Sequence, residues 1–559
     1  MKEGGVGRQV RSIGLILGVL ALAGAGVWAL DLPWQDWVSG AVSSEIRALH
    51  VRAEAGEIEA MLALAERYAE RDRNAAMAWW RRAADAGSAR GAYRLGLMYI
   101  QQSAPGSVVV HDPREAVRWM RQAAAQHDAD AQFELAGLLE AGHGAEKDLE
   151  EAIRWYRTAA ASGHGEAQYR VAQLFDGGTF LTRSVTDAFN WYQRAAEQQV
   201  SGAQLRLATM YEQGEGTRVD AARALHWYRK AAEQGVAEAQ MRLAERMAED
   251  PAYPEAEWVE WLRKAAEQGY APAQERMGEV FDHRPGHEEQ ARALYWYGKA
   301  AEGGHVSAQM LLADRYLLGQ GVSEDAAVAA QWMLRAASSG HAEAQQRYGI
   351  MLRFGMGVPK DPLKAVEWFQ KAAQQGMVEA CHALGSMYEQ GEGVSVDLQQ
   401  ARAWYTQAAK ADHPEAIFQL ARMDEEGLGG ERNLSLAMAG YLRAAHAGIA
   451  GIPQPQVWKR LGQLYERPDI HLHESSDVVR REIARGAAGG REVLRVGGVR
   501  GIHPLVRAWF WYELARLGGD AGVEPSLKGL EQRLSPRQME LARRMVRQWQ
   551  ETREREGAP

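Results

Sequence analysis

Cysteine is all but missing. The 559 residues include one, Cys381, so no disulfide forms within the chain and the redox compartment is left open. A lone thiol in a helix-pair contact is expected to be a packed small group rather than a nucleophile or a ligand. A positive balance is missing too: 65 Lys and Arg stand against 73 Asp and Glu, and a formal net charge of −8 argues against general nucleic-acid binding. There is no G-x-S-x-G, no H-E-x-x-H and no phosphate-binding Gly-Lys-Ser/Thr loop. The chain therefore reads as a non-enzyme, with no cofactor and no metal called for. Among apolar runs, Ser12 to Leu30 stands out: it carries no charge and is long enough to cross a bilayer. No cysteine follows it, which excludes a lipoprotein.

What is present is repetition. The stretch 165–200 recurs at 201–236, a shift of 36 residues, and a period of that size marks stacked supersecondary units. In one unit, Ala203, Leu207, Ala208 and Tyr211 share a helical face, and Gly214-Glu215-Gly216 ends that helix. A second face follows with Ala224, Trp227, Tyr228, Ala231 and Ala232, closed by Gly235. Each unit is thus an antiparallel helix pair. The small position recurs at Ala60, Gly91, Ala131, Ala167, Ala203, Ala239, Ala273, Ala308, Ala344, Ala380 and Ala416. From each Trp (79, 119, 155, 191, 227, 261, 296, 332, 368, 404) to the next small position is always 12 residues. From small position to Trp the distance runs from 19 to 28. The turn between units is fixed, and the slack lies in the loop inside each unit. Trp119, Trp155, Trp191, Trp227, Trp296, Trp368 and Trp404 are the expected wedges between units.

The pattern A-Q-x-x-L-(G/A)-x-x-Y…G-x-G-V…A-x-x-W-Y resembles the Sel-1-like repeat (SLR) family, a relative of the tetratricopeptide repeat. It stands almost intact at Ala380 to Gly385, Tyr388, Gly391 to Val394 and Trp404-Tyr405. The resemblance covers about residues 57–530. It implies an all-α, right-handed superhelical solenoid of antiparallel helix pairs, used as a binding scaffold for varied partners. A repeat array needs one continuous core, so the chain length does not call for several domains.

Residues 1–11 form a basic tail with Lys2, Arg8 and Arg11. No Lys or Arg follows until Arg47, which puts the N-terminus in the cytoplasm and the array outside it, in a bacterium the periplasm. Residues 12–30 are then a transmembrane anchor. The other reading is a signal peptide cleaved after Ala29, leaving a soluble periplasmic protein. Residues 31–56 are a juxtamembrane lead-in whose Trp34 and Trp37 suit a membrane interface or cap the first repeat. The array proper spans 57–449. A terminal repeat, 450–530, pairs the helix around Leu461-Gly462 with Trp511-Tyr512 across a long Gly/Arg-rich insertion, 467–503, expected to be mobile or irregular. Residues 531–559 are a capping helix and tail, opened by Ser535, Pro536 and a capping-box Gln538.

Few residues invite chemistry. The Gly-x-Gly loops at 319–321, 355–357 and 391–393 recur in register and have no preceding strand, so they terminate helices. His164, His305, His341 and His413 follow the turns between units. A unit rise of ~10 Å is too long for two of them to share a metal at ~2 Å. His471, His473 and Glu474 in the insertion are a weak metal candidate. Three residues after the small position stand Arg170, Arg206, Arg242 and Arg276, in four successive repeats. This stripe is either a partner-binding groove for an acidic peptide, a sheet edge or an anionic glycan, or a set of internal ion pairs. The favoured function is a membrane-anchored, non-enzymatic scaffold that organises an envelope complex through protein partners. The alternative is a glycan-directed module in exopolysaccharide export or peptidoglycan remodelling; the third is an enzyme using the 467–503 loop.

Overall fold

The computed structural model describes residues 44–100, 111–178, 181–446, 454–470, 476–479, 481 and 502–555. Among them there are helices and turns but no strand. The run 12–30 and the His471, His473, Glu474 group lie outside the described residues. Among the described residues no helix is long and apolar enough to cross a membrane.

The chain divides into two compact units, Met1–Trp261 and Leu262–Pro559. In the first, pairs such as Gly165–Gly177 with Val185–Glu197, and Ser201–Gln213 with Ala221–Glu233, follow one another. In the second the same pairing runs from Ala271–Asp282 with His287–Glu302 to Pro414–Glu426 with Leu434–His446. It continues with Gln454–Tyr465 against Pro504–Leu517, and ends in Glu524–Arg533 and Pro536–Arg555. The segment read as a lead-in contains a helix, Ser44–Glu54, whose His50 packs edge-on against Trp79 at 5.4 Å.

Three local devices recur in most pairs. An Asp or Ser seven residues before the Trp caps the second helix: Asp220 accepts from the Arg223 N–H at 2.9 Å, Asp148 from Glu151 at 2.8 Å. The turn between units passes through a left-handed residue, Gly235 at φ 87°. His127, Gln199 and Asp412 adopt the same conformation without being glycine. The glutamine after the small position then reaches back eight residues: Gln204 Nε2 donates to the Ala196 carbonyl at 3.1 Å, and Gln240 to Ala232 at 3.1 Å. The turn keeps its length where the glutamine is absent, as at Ala92, Cys381 and Ile417, because a backbone bond also closes it: the Val236 N–H donates to the Ala231 carbonyl at 3.2 Å, and the Met377 N–H to Ala372 at 3.1 Å. Cys381 replaces this glutamine in one repeat; its thiol is buried and pushed up by that burial.

Inside a pair the more deeply buried aromatic is the residue after the Trp position. Tyr228, Tyr297, Phe369, Tyr405 and Tyr441, each one residue after the Trp position, are at most 2 % exposed. Trp119 is buried, but Trp155, Trp191, Trp227, Trp296, Trp368 and Trp404 are only half-buried. One residue is 100° of helix, and that rotation turns the second aromatic onto its own partner helix. There the Gly/Ala position makes room: a Cβ on Gly385 would lie 2.6 Å from the Tyr405 ring. The Trp sits at the edge, often covered by a cation one turn on, as Lys371 Nζ covers Trp368 at 4.0 Å.

Candidate interaction surface

The four arginines of the stripe are all ion-paired. Arg170 pairs with Glu140 of the preceding repeat. Arg206 Nε binds Asp176 of the preceding repeat at 2.8 Å, and its Nη2 binds Glu215 at 2.6 Å. Arg242 pairs with Glu245 at 3.4 Å, and Arg276 with Glu279, both three residues along their own helix. The two that reach across repeats are the less exposed, 34 % and 27 % against 42 % and 49 %. The Arg206 hydrogen bonds hold Asp176 below the usual carboxylate range, and Asp176 in turn raises Arg206.

The same carboxylate receives a tyrosine. Tyr156 donates to Glu140 at 2.8 Å, Tyr405 to Glu389 at 2.9 Å and Tyr441 to Glu425 at 2.8 Å. Burial, with Glu212 as partner, pushes the Tyr228 phenol up to about 12. A tyrosine of one helix, a carboxylate of its partner and an arginine of the next repeat thus form one link. Leu311 and Gln419, where the stripe lacks Arg, do not break the rule. Their repeats supply the cation a turn later, through Arg315 to Asp282 and Arg422 to Glu389. Ahead of Ala383 the charges are exchanged: Arg353 stands in the carboxylate register and binds Glu392 of the next repeat at 2.8 Å. There the wedge is Phe369, which has no hydroxyl to satisfy. Two of the four stripe arginines, Arg170 and Arg206, are therefore links between repeats, and Arg242 and Arg276 are paired within their own helices.

A cleft of about 780 Å³ lies in the second unit, between Pro414–Glu426 and Gln454–Tyr465. Phe418, Gln419 and Arg422 line one side, Gln456, Lys459 and Gln463 the other, with Gly518 to Asp520 at one end. Lys459 binds Asp520 at 3.1 Å, and Gln419 accepts from Arg422 at 2.9 Å. Gln456 and Gln463 are exposed. Among the described residues no His, Cys, Asp and Glu group is arranged to hold a metal.

The Sel1 repeat model matches eleven segments: 58–88, four without a break over 89–236, 259–270, and five without a break over 271–449. The chain belongs to the Sel1 repeat family. A solved structure similar to it is c5321, described as a protective antigen present in uropathogenic Escherichia coli strains and displaying an SLR fold. It is 28 % identical, the match covers 90 % of this chain and 94 % of that one, and the TM-score is 0.54. A Sel1 repeat protein from Oxalobacter formigenes is 30 % identical over 62 % of this chain and 91 % of its own, with a TM-score of 0.37. No curated protein matches the chain.

In this Sel1 array the histidines before the first helices are more than turn residues. His164, His341 and His413 cap those helices, each Nδ1 accepting the backbone N–H three residues on, at 3.1, 3.4 and 3.3 Å. His305 instead points Nδ1 at Glu275, 2.8 Å away. The recurrence of His three residues before the small position was the available signal. So was the recurring Asp seven before the Trp.

Proposed function

We propose that this Sel1 repeat protein is a membrane-anchored scaffold that assembles an envelope complex from the periplasmic side, and that a partner polypeptide engages the cleft between Pro414–Glu426 and Gln454–Tyr465. One observation supports the cleft over the arginine stripe. Arg170 and Arg206 are committed to links between repeats and Arg242 and Arg276 to ion pairs along their own helices, whereas Gln456 and Gln463 present uncommitted amides to solvent. Primary amides donate and accept, and so suit a peptide main chain. The lining holds three glutamines, three cations (Arg422, Lys459 and Arg460), Asp520 and a single aromatic, Phe418; the lack of an aromatic platform favours peptide over glycan. The charge-free run Ser12 to Leu30, with Lys and Arg on one side only, supports the anchor and the periplasmic placement. The similar E. coli protein is described as a protective antigen, which suits an exported chain.

A photo-crosslinking residue at Gln456 or Gln463 in native membranes should trap one discrete polypeptide, while the same residue at Arg242 traps none. Equal adducts at both places would remove the cleft from the proposal. The chain should stay in the pellet after alkaline carbonate, and a reporter fused after Pro559 should be active only outside the cytoplasm. Activity in the cytoplasm would overturn the topology.

A further inference from the structure

The contact between His382 and His413 joins two adjacent repeats. His413 precedes the helix Pro414–Glu426, and its Nδ1 accepts the Ala416 N–H at 3.3 Å. A ring nitrogen accepts only while it carries no proton, so this cap requires the neutral imidazole. A cation there would also meet the positive end of the helix dipole. The ring stacks on His382, centroids 4.8 Å and planes 20° apart. His382 also packs against the Tyr405 ring at 5.7 Å. The groups around the pair are Arg353 from Ala342–Phe354, Tyr405 from Leu398–Lys410, the uncharged Cys381 thiol, and Glu415, whose Oε2 is 3.4 Å from His413 Nδ1. One carboxylate faces two imidazoles and a guanidinium. On protonation, Nδ1 of His413 must exchange the Ala416 N–H for Glu415.

We propose that the His382–His413 stack is an acid-sensitive joint, at which proton uptake loosens the repeat beginning at Ala380 from the repeat beginning at Ala416. Burial, then the neighbouring His413, lowers His382 from 6.5 to about 4 in the folded chain. A base depressed on folding adds stability that is complete above its unfolded value of 6.5 and is lost as pH falls from there towards 4. For one proton, the closed-to-open ratio falls about tenfold per pH unit inside that window. In a repeat array the loss is felt first at the weakened junction.

The chain carries its own control. Phe133 and His164 occupy the same two registers and stack in the same way, 4.8 Å and 22°. There one ring is ionisable rather than two, and Asp130 lies 3.3 Å from His164 Nε2. Hydrogen exchange of the full chain, corrected for intrinsic rates, tests the joint at pH 7.5 and 5.5. Amides of 378–426 should lose about tenfold in protection on acidification, and more than those of 129–177. His382→Phe copies the Phe133 geometry and should abolish that excess. His413→Asn keeps a cap acceptor that does not titrate and should reduce it. Equal losses in both segments, or an unchanged loss in either variant, overturns the joint. Should His382→Phe fail to fold at pH 7.5, His413→Asn and the comparison of the two segments decide alone.

Discussion

The interior repeats and the C-terminal end build their cores in different ways. Helix Ala221–Glu233 buries Ala224, Tyr228, Ala231 and Ala232, one large side chain among three methyls. Helix Pro504–Leu517 buries Trp509, Phe510, Trp511 and Tyr512 in unbroken succession. An interior helix lies between backbones of its own kind, and alanine lets them approach until water is excluded. Pro504–Leu517 is followed by Glu524–Arg533 and Pro536–Arg555, which lack the repeat's aromatic pair, and bulk takes the place of close backbone approach. Trp458 and Trp549 meet edge-on at 5.7 Å, bringing the last helix, Pro536–Arg555, over the terminal pair. That helix begins with reciprocal bonds, Ser535 N–H to Gln538 Oε1 at 2.8 Å and Gln538 N–H to Ser535 Oγ at 3.4 Å. Repetition saves large residues, and termination needs them.

The comparison breaks most visibly at Trp511, which is wholly buried. Trp511→Ala should cost ~3–5 kcal/mol, seen as an early urea transition of the C-terminal end with the interior repeats still folded. A single unshifted transition would show that the end is not a distinct cap. Next comes Gly393, at φ 75°, where an added Cβ would lie 2.4 Å from the Pro362 carbonyl of the preceding repeat. Gly393→Ala should cost ~1–3 kcal/mol, because the loop rests directly on the neighbouring backbone. Gly376, with open space around its Cβ position, should tolerate alanine better. Equal urea midpoints for the two variants would dismiss the backbone contact. Trp227→Ala should cost less, ~1–2 kcal/mol, since part of the ring is already in water. A loss as large as that of Trp511→Ala would show the Trp to be the main wedge between units.

How far the sequence could be read follows from the same contrast. The interior was legible because each contact recurs: the 12-residue turn, the Gly/Ala position and the aromatic pair announce themselves by repetition. Which aromatic is buried was not legible, because Trp and Tyr recur together and only the 100° between them separates edge from wedge. The left-handed His127, Gln199 and Asp412 were missed because the turn was recognised by its glycines. The arginine stripe was visible, yet the partners of Arg170 and Arg206 lie 30 residues away, Glu140 and Asp176, at a distance local charge patterns do not reveal. The helix Ser44–Glu54 carries no repeat signature and passed as a lead-in.

The stripe offers the smallest effects and the sharpest distinction. Arg206 bridges Asp176 and Glu215 at 27 % exposure, so Arg206→Glu would gather three carboxylates where a bridge stood. Exposed pairs contribute ~0–1 kcal/mol, and this one, shared by two anions and partly buried, belongs at the upper end. The melt should therefore move by about 1 kcal/mol. Arg242 is 42 % exposed and paired only along its own helix, so Arg242→Glu should shift the melt by less than ~0.5 kcal/mol. If the stripe is a set of links between repeats, the two variants differ in stability and both keep the crosslink at Gln456. If it is a partner groove, both lose the partner whatever their melts do. Loss of the adduct in a stably folded Arg242→Glu chain would return the binding site to the arginines, because nothing in that side chain's own packing accounts for such a loss.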